Sequence, residues 1–511
     1  MSIRIVDLSV ALESFPSEYH DTLVTYWDHH DGARRLARDW KINPADLPHP
    51  NQAGAYEDVT ALTHAGTHID APWHFGPKTD GQPAKTVDRM PLEWCLGDGV
   101  VLDFSQSKKD GEYIEVRDVE VELERISYRL KAGDIVLIWT GAGRHWGAPD
   151  YGARGSGLTA EVVFWFFHKG VRVLTTDAYT LDIPVPRMVE KFKAGDKEAF
   201  FPVHRAGRKV EYTHAEKVVN LQSLPASGFK VALFPVKVRA GSGAWTRAVA
   251  IFDDALKREQ LRCVDLSVPL ENFAAEYHQT SISYWDHYDF ARRSAKGQGT
   301  NPADFPEPYV GGALELVAAS THAGTHVVAP WHFTPVGRRG AAMTIDQVPL
   351  EWCYGPGVVL DFTSKPNGSY ISAGDLQEES SRIGHTLAPG DIAMLHTGAG
   401  DHWGAPDYVD RGAGLTADAL RWLVERGVRA VTTDAADLDI PMRDRVQRFR
   451  NGEKQALFPI AEAARELEFI YAAKVVNLRQ LPPAGFRVAL FPVKVRRASS
   501  SWTRAVAIVN G

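Results

Sequence analysis

The chain has 511 residues, which is more than one hydrophobic core ordinarily supports and indicates two or more domains. Hydrophobic residues make up 44% of it and charged residues 24%, the balance of a globular protein. The net charge of -7 and the lack of a Lys/Arg stripe argue against nucleic acid and anionic membrane surfaces as partners. The chain opens without a cationic segment followed by an apolar core, and apolar runs such as residues 162–167 are too short to span a bilayer. We therefore expect no membrane association and a cytoplasmic location.

Residues 26–38, Tyr-Trp-Asp-His-His-Asp-Gly-Ala-Arg-Arg-Leu-Ala-Arg, are predicted to form a helix or lid ahead of the motif described next. Aromatic side chains beside arginines can cover an aromatic ligand. A stacked surface helix with no ligand accounts for the same pattern. Both interpretations stay open at this point.

Residues 63–75, Thr-His-Ala-Gly-Thr-His-Ile-Asp-Ala-Pro-Trp-His-Phe, place three imidazoles and one carboxylate within eleven positions. These groups belong to His64, His68, Asp70 and His74. Imidazole and carboxylate together suit a borderline divalent ion, and the lack of a nearby cysteine argues against a closed structural zinc site. The motif therefore predicts a metal site, with zinc as the first choice and manganese as the alternative.

The spacing within this motif predicts how its groups converge. Gly66 permits a sharp turn, so that His64 and His68 can approach each other without lying on a helix. Asp70 follows His68 by two residues and lies on the same side if the chain is extended there. Pro72 is expected to prevent a helix from beginning. His74 is expected to act on a metal-bound water rather than to bind the ion.

Mixed strand and helix signals follow the motif. Short apolar runs predict buried strands at residues 100–104, 134–139, 171–176 and 230–238. Residues 159–170 begin with Thr159, a residue suited to an N-cap, and end at a glycine, which predicts a helix that packs by its apolar face. Because strands and helices alternate only in part, the fold class is mixed α/β.

The sequence contains a long internal repeat. His64-Ala-Gly-Thr-His recurs at His322, displaced by 258 residues, and later matches are displaced by 257 because one residue has been lost in a loop. The repeat is far longer than a solenoid unit, so we interpret it as a duplicated domain, with copies at residues 1–257 and 258–511. The junction is short and carries no Pro/Gly-rich linker, which indicates two halves held in contact.

The motif His-x-Gly-Thr-His-x-Asp-x-Pro-x-His, intact from His64 to His74, resembles the signature of the cyclase family, which includes bacterial kynurenine formamidases, isatin hydrolases and cyclases of aromatic polyketide pathways. The resemblance covers nearly the whole chain, because the domain occurs twice. It implies the family's swivelling β/β/α fold in each copy. It also implies subunits that complete each other's pockets, so the second copy is expected to mimic a partner subunit in an intramolecular pseudo-dimer, with further homo-oligomers left open.

The resemblance extends to a second cluster of candidate ligands. In family members that bind two metals, a His followed twelve residues later by a Glu supplies further ligands, and His204 and Glu216 match that spacing. The predicted metal ligands are therefore His64, His68, Asp70, His204 and Glu216. One or two ions are expected in the first copy.

The two copies differ at these positions. Three candidate ligands are replaced by apolar residues in the second copy: Asp70 by Val328, His204 by Ala461 and Glu216 by Ala473. The residues around these positions stay similar, so drift alone is a poor explanation. We therefore predict one active copy and one copy that has lost its metal site.

Residues that are kept in both copies call for the opposite interpretation, a structural role rather than a role in the metal site. Asp182 recurs as Asp439, and its retention where the metal ligands are gone favours a structural role. Tyr19, Trp27 and Trp73 are candidate substrate contacts. Tyr19 and Trp27 also recur in the second copy, so a structural role is their alternative.

These residues indicate a metal-dependent enzyme that acts on a small molecule. A metal bound by neutral His and carboxylate lowers the pKa of its water and polarises a carbonyl. The leading hypothesis is a hydrolase in which this water attacks the amide or lactone carbonyl of a small aromatic or cyclic substrate. His74 and Glu216 are the catalytic residues, and His74 carries the proton to the leaving group. Metal-assisted ring closure of an aromatic polyketide is the alternative, and a non-catalytic ligand-binding protein is the third hypothesis.

Overall fold

The computed structural model describes residues 3–14, 18, 21–257, 261–272, 276–337 and 340–510. Its backbone contacts define two compact units. Unit 1 comprises Met1–Leu23, Thr60–Lys257 and Ile282–Val317, and unit 2 comprises Val24–Val59, Arg258–Ser281 and Ala318–Gly511. Each unit is therefore built mainly from one copy of the repeat and includes one segment of the other copy.

Helices and strands are interspersed along the described chain. The helices are α1 (His29–Trp40), α2 (Pro72–Phe75), α3 (Val116–Arg125), α4 (Ala160–His168), α5 (Val185–Lys193), α6 (Pro202–Ala206), α7 (His287–Gln298), α8 (Ala373–Arg382), α9 (Ala417–Glu425), α10 (Met442–Arg450) and α11 (Pro459–Ala464). The strands of the first copy are β1 (Arg4–Asp7), β2 (Leu23–Trp27), β3 (Tyr56–Leu62), β4 (His68–Asp70), β5 (Lys78–Thr79), β6 (Gln82–Pro83), β7 (Leu96–Asp103), β8 (Tyr113–Ile114), β9 (Ile135–Trp139), β10 (Gly157–Leu158), β11 (Val173–Thr176), β12 (Thr213–Glu216), β13 (Lys230–Ala232), β14 (Gly243–Trp245) and β15 (Val249–Phe252). The strands of the second copy are β16 (Leu261–Asp265), β17 (Ser281–Trp285), β18 (Leu314–Ser320), β19 (His326–Val328), β20 (Val336–Gly337), β21 (Gly340–Ala341), β22 (Tyr354–Asp361), β23 (Tyr370–Ile371), β24 (Ile392–His396), β25 (Gly414–Leu415), β26 (Ala430–Thr433), β27 (Ile470–Ala473), β28 (Phe486–Ala489), β29 (Ser500–Trp502) and β30 (Val506–Asn510).

A mixed sheet organises unit 1, in the order β1-β15-β13-β7-β9-β11-β12-β4-β14. The central strands β7, β9, β11 and β12 run parallel, while β4 pairs antiparallel with β12 and with β14. Apolar residues of α3, α4 and α6 form one buried cluster with the central strands, which explains why these runs of Val, Ile and Leu are almost uninterrupted. The sheet therefore fixes β4 and β12 side by side.

Unit 2 repeats this arrangement, with the strand order β16-β30-β28-β22-β24-β26-β27-β19-β29. The predictions of a mixed α/β fold and of two tandem copies are confirmed. The strand predicted at residues 230–238 is shorter than expected: it ends at Ala232 and is followed by an isolated antiparallel bridge between Pro235 and Thr246. Within the described residues, no helix combines the length and the apolar character that crossing a membrane requires.

Each unit buries one glutamate among hydroxyl groups. In unit 1, Glu315 accepts hydrogen bonds from the Ser242 amide and from the Thr63 and Ser242 hydroxyls, all at 2.9 Å. In unit 2, Glu57 accepts from the Ser499 amide and hydroxyl, also at 2.9 Å. Burial raises the pKa of each carboxyl to about 7 in spite of these bonds.

Replacing Glu315 by glutamine is expected to stabilise the protein at alkaline pH. A carboxyl whose pKa is higher in the folded than in the unfolded protein lowers stability as pH rises from the unfolded value of 4.5 through about 7. Glu315→Gln removes this penalty, so its free energy of unfolding should exceed that of the wild type by on the order of 3 kcal/mol at about pH 8.5 and by little at about pH 4.5. Urea unfolding at both pH values measures the difference. Glu124→Gln, at an exposed position, is the matched control, and a gain independent of pH would contradict the assignment.

Candidate metal centre

The first part of the centre is a sharp turn followed by a short strand. Gly66 has a φ of +58°, a left-handed conformation that glycine adopts without strain. The chain is then extended through β4, which places His68 and Asp70 on one side of the strand. The expectation for Pro72 is wrong, because Pro72 is the first residue of α2. Proline suits the first turn of a helix, where its missing N–H would have no partner in any case.

Asp70 is the hub of the cluster and is only 1% exposed. Its Oδ1 lies 2.7 Å from His64 Nδ1 and 3.2 Å from His68 Nε2. Its Oδ2 lies 2.9 Å from His214 Nε2 and 3.8 Å from His74 Nε2. With His204, described next, five imidazoles therefore share one carboxylate.

β12 and α6 supply the second part of the centre. In the antiparallel pair of β12 and β4, His214 lies opposite Asp70 and Glu216 lies opposite His68. Glu216 Oε1 is 3.3 Å from His214 Nε2, and Glu216 Oε2 is 3.6 Å from His68 Nε2. His204, on α6, places its Nε2 3.8 Å from Asp70 Oδ2. The structure thus brings the two predicted groups of ligands together.

Asp182 holds His204 in this position. Its Oδ2 accepts from His204 Nδ1 at 2.5 Å, and its Oδ1 accepts from the Val203 amide at 2.8 Å. A carboxylate on one ring nitrogen fixes the tautomer and leaves the other nitrogen unprotonated, as a metal ligand requires. Asp182 therefore has a structural role that consists of orienting a candidate ligand.

The polar atoms at the middle of the cluster fit a cation. Both carboxylate oxygens of Asp70 and the Nε2 atoms of His68 and His214 are buried, and they have no hydrogen-bond partner among the described residues. Buried polar atoms are normally satisfied, so the convergence of these unpartnered atoms fits a bound cation. Two sets of donor atoms are close enough to hold an ion: Asp70, His204, His214 and Glu216 in one, and His64, Asp70 and His74 in the other. Both sets lie in unit 1, and the described residues contain no further set of this kind.

The protonation states of His64, His74 and Asp70 suit a cation site, and that of His214 requires the loss of a proton. Burial lowers the pKa of both His64 and His74, so these imidazoles are neutral. Burial opposes ionisation of Asp70, but the imidazoles around it, among them the protonated His214, hold its pKa well below the usual value. Burial lowers the pKa of His214, but the neighbouring carboxylates of Asp70 and Glu216 outweigh burial and raise this pKa to about 10. His214 must release that proton before its Nε2 can bind a metal.

A cavity of about 810 Å³ in unit 1 opens on this cluster. Every residue predicted as a metal ligand or catalytic group lines it: His64, His68, Asp70, His74, His204 and Glu216. Apolar wall residues come from the first copy, such as Val189 and Phe201, and from the second copy, such as Phe290 and Leu314. The cavity therefore combines a polar end with apolar walls.

The predicted substrate contacts occupy different places. Trp27 belongs to unit 2, where its ring stacks on Tyr56 with centroids 5.9 Å apart. Its counterpart in the second copy, Trp285, lines the cavity of unit 1. Trp73 lies on α2 beside the cluster and is not among the described residues that line the cavity. Tyr19 lies outside the described residues.

The helix predicted at residues 26–38 is α1, and its counterpart in the second copy is α7. Both helices begin after an aspartate whose side chain caps the first turn, Asp28 for α1 and Asp286 for α7. α1 belongs to unit 2, whereas α7 belongs to unit 1. Residues of α7 line the cavity of unit 1, so the second copy supplies part of its wall.

Unit 2 keeps the fold of this site without its carboxylate ligands. The replaced positions are Val328, Ala461, Ala473 and Tyr471, which stand for Asp70, His204, Glu216 and His214. Asp439, the counterpart of Asp182, has no histidine to hold and accepts from Arg445 at 3.1 Å instead. Burial raises the pKa of Asp439 to about 7. The three histidines of the motif, His322, His326 and His332, remain in unit 2, but among the described residues they belong to no set of ligands.

His214 is the residue of this centre that the sequence analysis did not assign. It precedes Glu216 by two positions, and residues two apart on a strand share a face. Its replacement by Tyr471 in the second copy matches the pattern of the other ligands. Both signals were present in the sequence.

Known proteins resemble this chain in sequence. The Cyclase family model matches residues 6–183 and again residues 264–440, together more than half of the chain. An isatin hydrolase of Roseibium aggregatum is 25% identical over 205 residues, which is 38% of this chain and 73% of that protein. A kynurenine formamidase of Erythrobacter litoralis is 27% identical over 194 residues, which is 37% of this chain and 74% of that protein. The crystal structure of an isatin hydrolase bound to the product analogue thioisatinate also matches. The matched region is 49% of this chain and 94% of the isatin hydrolase chain, with 18% sequence identity and a TM-score of 0.40.

Proposed function

Because the chain belongs to the Cyclase family, we propose that it is a metal-dependent hydrolase that cleaves an amide or lactone carbonyl of a small aromatic or cyclic molecule. The observation that carries this proposal is the Asp70 carboxylate, whose two unpartnered oxygens lie among imidazoles at one end of a cavity. A volume of about 810 Å³ is typical of a small-molecule site. The names of the relatives, isatin hydrolase and kynurenine formamidase, support a cyclic or aromatic amide as the substrate.

The proposed metal ligands are the groups of the two donor sets other than His74, together with His68: His64, His68, Asp70, His204, His214 and Glu216. Imidazole and carboxylate suit zinc, with manganese as the alternative, and two sets that share Asp70 support one or two ions. A divalent ion bound there supplies Lewis-acid polarisation of a carbonyl and lowers the pKa of a water molecule. Asp182 serves this chemistry by holding His204 Nδ1, which keeps Nε2 directed at the cluster.

We assign the transfer of the proton to His74. Its Nδ1 donates to the carbonyl oxygen of Ala313 at 2.7 Å, so its Nε2 carries the lone pair that faces the cluster. Burial lowers the pKa of His74, and the neutral ring can therefore accept a proton at Nε2 and pass it to a leaving group. Glu216, whose Oε1 accepts from the Leu181 amide at 3.1 Å, is proposed as the second catalytic group.

We propose that unit 2 has no metal-dependent activity of its own. It lacks the counterparts of four groups that surround the proposed ions in unit 1, and its replacements are apolar or phenolic. In this proposal the second copy serves the reaction through residues 282–317, which form part of unit 1. The chain is then an intramolecular pseudo-dimer with one working centre.

The experiment is metal removal followed by reconstitution. Chelated protein is expected to regain hydrolysis of an aryl formamide or of isatin when zinc or manganese is added, and elemental analysis should find the ion in proportion to the activity. If the loaded protein closes rings in a nascent aromatic polyketide and cleaves no amide, ring closure is its activity. If the purified protein takes up neither ion, the ligand-binding hypothesis replaces the hydrolase.

A further inference from the structure

The wall of the unit 1 cavity carries an arginine without an acidic partner. Arg293 lies on α7 and lines the cavity that opens on the metal cluster. The Cζ atom of its guanidinium is 4.1 Å from the centre of the Trp285 ring, which lines the same cavity. Its side chain is exposed, and no carboxylate of the described residues lies within ion-pair distance of it. By contrast, its neighbour Arg292 pairs with Asp289 at 2.8 Å.

The counterpart of Arg293 in the first copy is Arg35, and the guanidinium of Arg35 already has interaction partners. Arg35 Nε lies 3.5 Å from Asp39 Oδ2, and Arg35 Nη2 lies 3.1 Å from His278 Nδ1. The guanidinium also sits over the ring of Tyr56, 4.6 Å from its centre. In unit 2, therefore, the equivalent cation is held by an acid, an imidazole and a phenol ring.

Two differences between the copies leave Arg293 without the acid and the phenol ring that hold Arg35. Asp39 corresponds to Gly297, and Tyr56 corresponds to Leu314, and both replacements line the cavity of unit 1. Gly297 lies one helical turn after Arg293, where an added Cβ would meet nothing within 4 Å. The unit that keeps the metal ligands is thus the unit whose arginine has lost its acid.

The position of Arg293 is fixed by the packing of α7. Ala291 and Ala295, on the buried side of the helix, form one apolar cluster with Phe192, Phe200 and Phe305. At the end of the helix, Lys193 Nζ donates to the carbonyl oxygen of Gln298 at 2.8 Å. Arg293 therefore projects from a docked helix rather than from a loop.

We infer that unit 1 selects substrates that carry a carboxylate, and that Arg293 binds this carboxylate while the substrate carbonyl faces the metal cluster. The inference rests on the proposed hydrolase function and specifies its substrate class. A guanidinium binds a carboxylate through two parallel hydrogen bonds, and stacking on an indole leaves its edge free to do so. Lys217 pairs with Glu18 at 2.9 Å, so Arg293 is the cationic side chain left for an anion among the described lining residues.

The test compares acids with their neutral esters. The 2-, 3- and 4-formamidobenzoates and their methyl esters place a carboxylate at three distances from the formamide carbonyl. For at least one isomer, wild-type protein should favour the acid, and Arg293→Ala should lower the acid-to-ester ratio of kcat/KM by about tenfold, the loss expected for one charge-assisted contact. The loss should appear in KM for the acid more than in kcat, because a contact remote from the carbonyl binds ground state and transition state alike.

Gly297→Asp is the sharper variant, since it restores the acid that neutralises Arg35 and keeps the guanidinium in place. It should lower the same ratio, whereas Arg292→Ala, on the same helix, should leave the ratio as it is in the wild type. Calorimetry with 4-methylbenzoate and 4-methylbenzamide on metal-free protein gives a readout without turnover. Binding of the acid should weaken about tenfold in Arg293→Ala and binding of the amide should not.

The two proposals fail in different ways. Equal turnover of acids and esters in every variant overturns the carboxylate inference and leaves the hydrolase intact. No turnover of any formamide by the metal-loaded protein counts against the hydrolase, and the calorimetric comparison then decides the carboxylate inference by itself. Equal binding of 4-methylbenzoate to the wild type and Arg293→Ala overturns it.

Discussion

Asp70→Asn is expected to abolish turnover and to strip the protein of its metal. Asp70 belongs to both candidate sets of ligands, with one oxygen 2.7 Å from His64 Nδ1 and the other 2.9 Å from His214 Nε2. Asparagine keeps one carbonyl oxygen but replaces the other by an amide group that can only donate, so one set loses its shared ligand. Substituting a residue that only hydrogen-bonds to a metal ligand reduces metal affinity or activity by about 10- to 100-fold, and loss of the ligand itself should exceed that range. Elemental analysis and initial rates on the purified variant measure the two effects.

His64→Ala and His322→Ala provide a matched pair for the same assignment. They remove equivalent imidazoles from unit 1 and unit 2. The first should lower metal content and turnover, and the second should lower neither, because Val328 stands where a carboxylate would be needed. Thermal unfolding controls for loss of the fold. Comparable losses in both variants would show that the centre is not confined to unit 1, and full metal content in Asp70→Asn would show that Asp70 is not an essential ligand.

Local spacing was sufficient to predict the first part of this centre. The turn at Gly66 and the extended chain through β4 depend on neighbouring residues, and they bring His64, His68 and Asp70 together. The start of α2 at Pro72 shows the limit of the same reasoning. Proline breaks a helix in its interior but not in its first turn, and the sequence pattern does not reveal which of the two positions it occupies.

Register across the sheet lies beyond such spacing rules. His214 faces Asp70 because β12 pairs with β4, and these two residues are 144 positions apart along the chain. The comparison of the copies could still have flagged His214, since a ligand replaced by Tyr471 fits the loss of the other three. A comparison of duplicated domains therefore carries information about long-range contacts that periodicity does not.

The resemblance implied that the second copy helps to complete the pocket, but the residues that each copy contributes to the cavity wall could not be predicted from the local sequence. Trp27 and Trp285 occur in the same local sequence, Tyr-Trp-Asp-His, and no local property distinguishes them. Their assignment to different units follows from the packing of residues 24–59 and 282–317, each of which joins the unit built from the other copy. Only the folded chain reveals that the tryptophan lining the working cavity is Trp285.

Residues 1–257 expressed alone are expected to be inactive and much less stable than the full chain. This fragment lacks Ala313, whose carbonyl orients His74, and Glu315, which accepts from Thr63 and Ser242. It also lacks α7, whose removal uncovers the apolar cluster around Phe192. Exposing a large apolar side chain costs about 1.5–3 kcal/mol, and several such losses approach the total stability of a domain, about 5–15 kcal/mol. Thermal unfolding and turnover of the fragment, with the full chain beside it, measure both effects.

A variant of the full chain separates this effect from truncation. Ala295→Glu places a charge in the cluster with Phe192, where Ala295 is 2% exposed, and should reduce activity while the metal ligands stay unchanged. The fragment itself can regain activity in one way that agrees with the structure. Residues 24–59 of one fragment could replace residues 282–317 in another, and activity would then appear only in a dimer on analytical ultracentrifugation. A fully active, stable monomer of residues 1–257 would mean that the second copy contributes nothing to the centre.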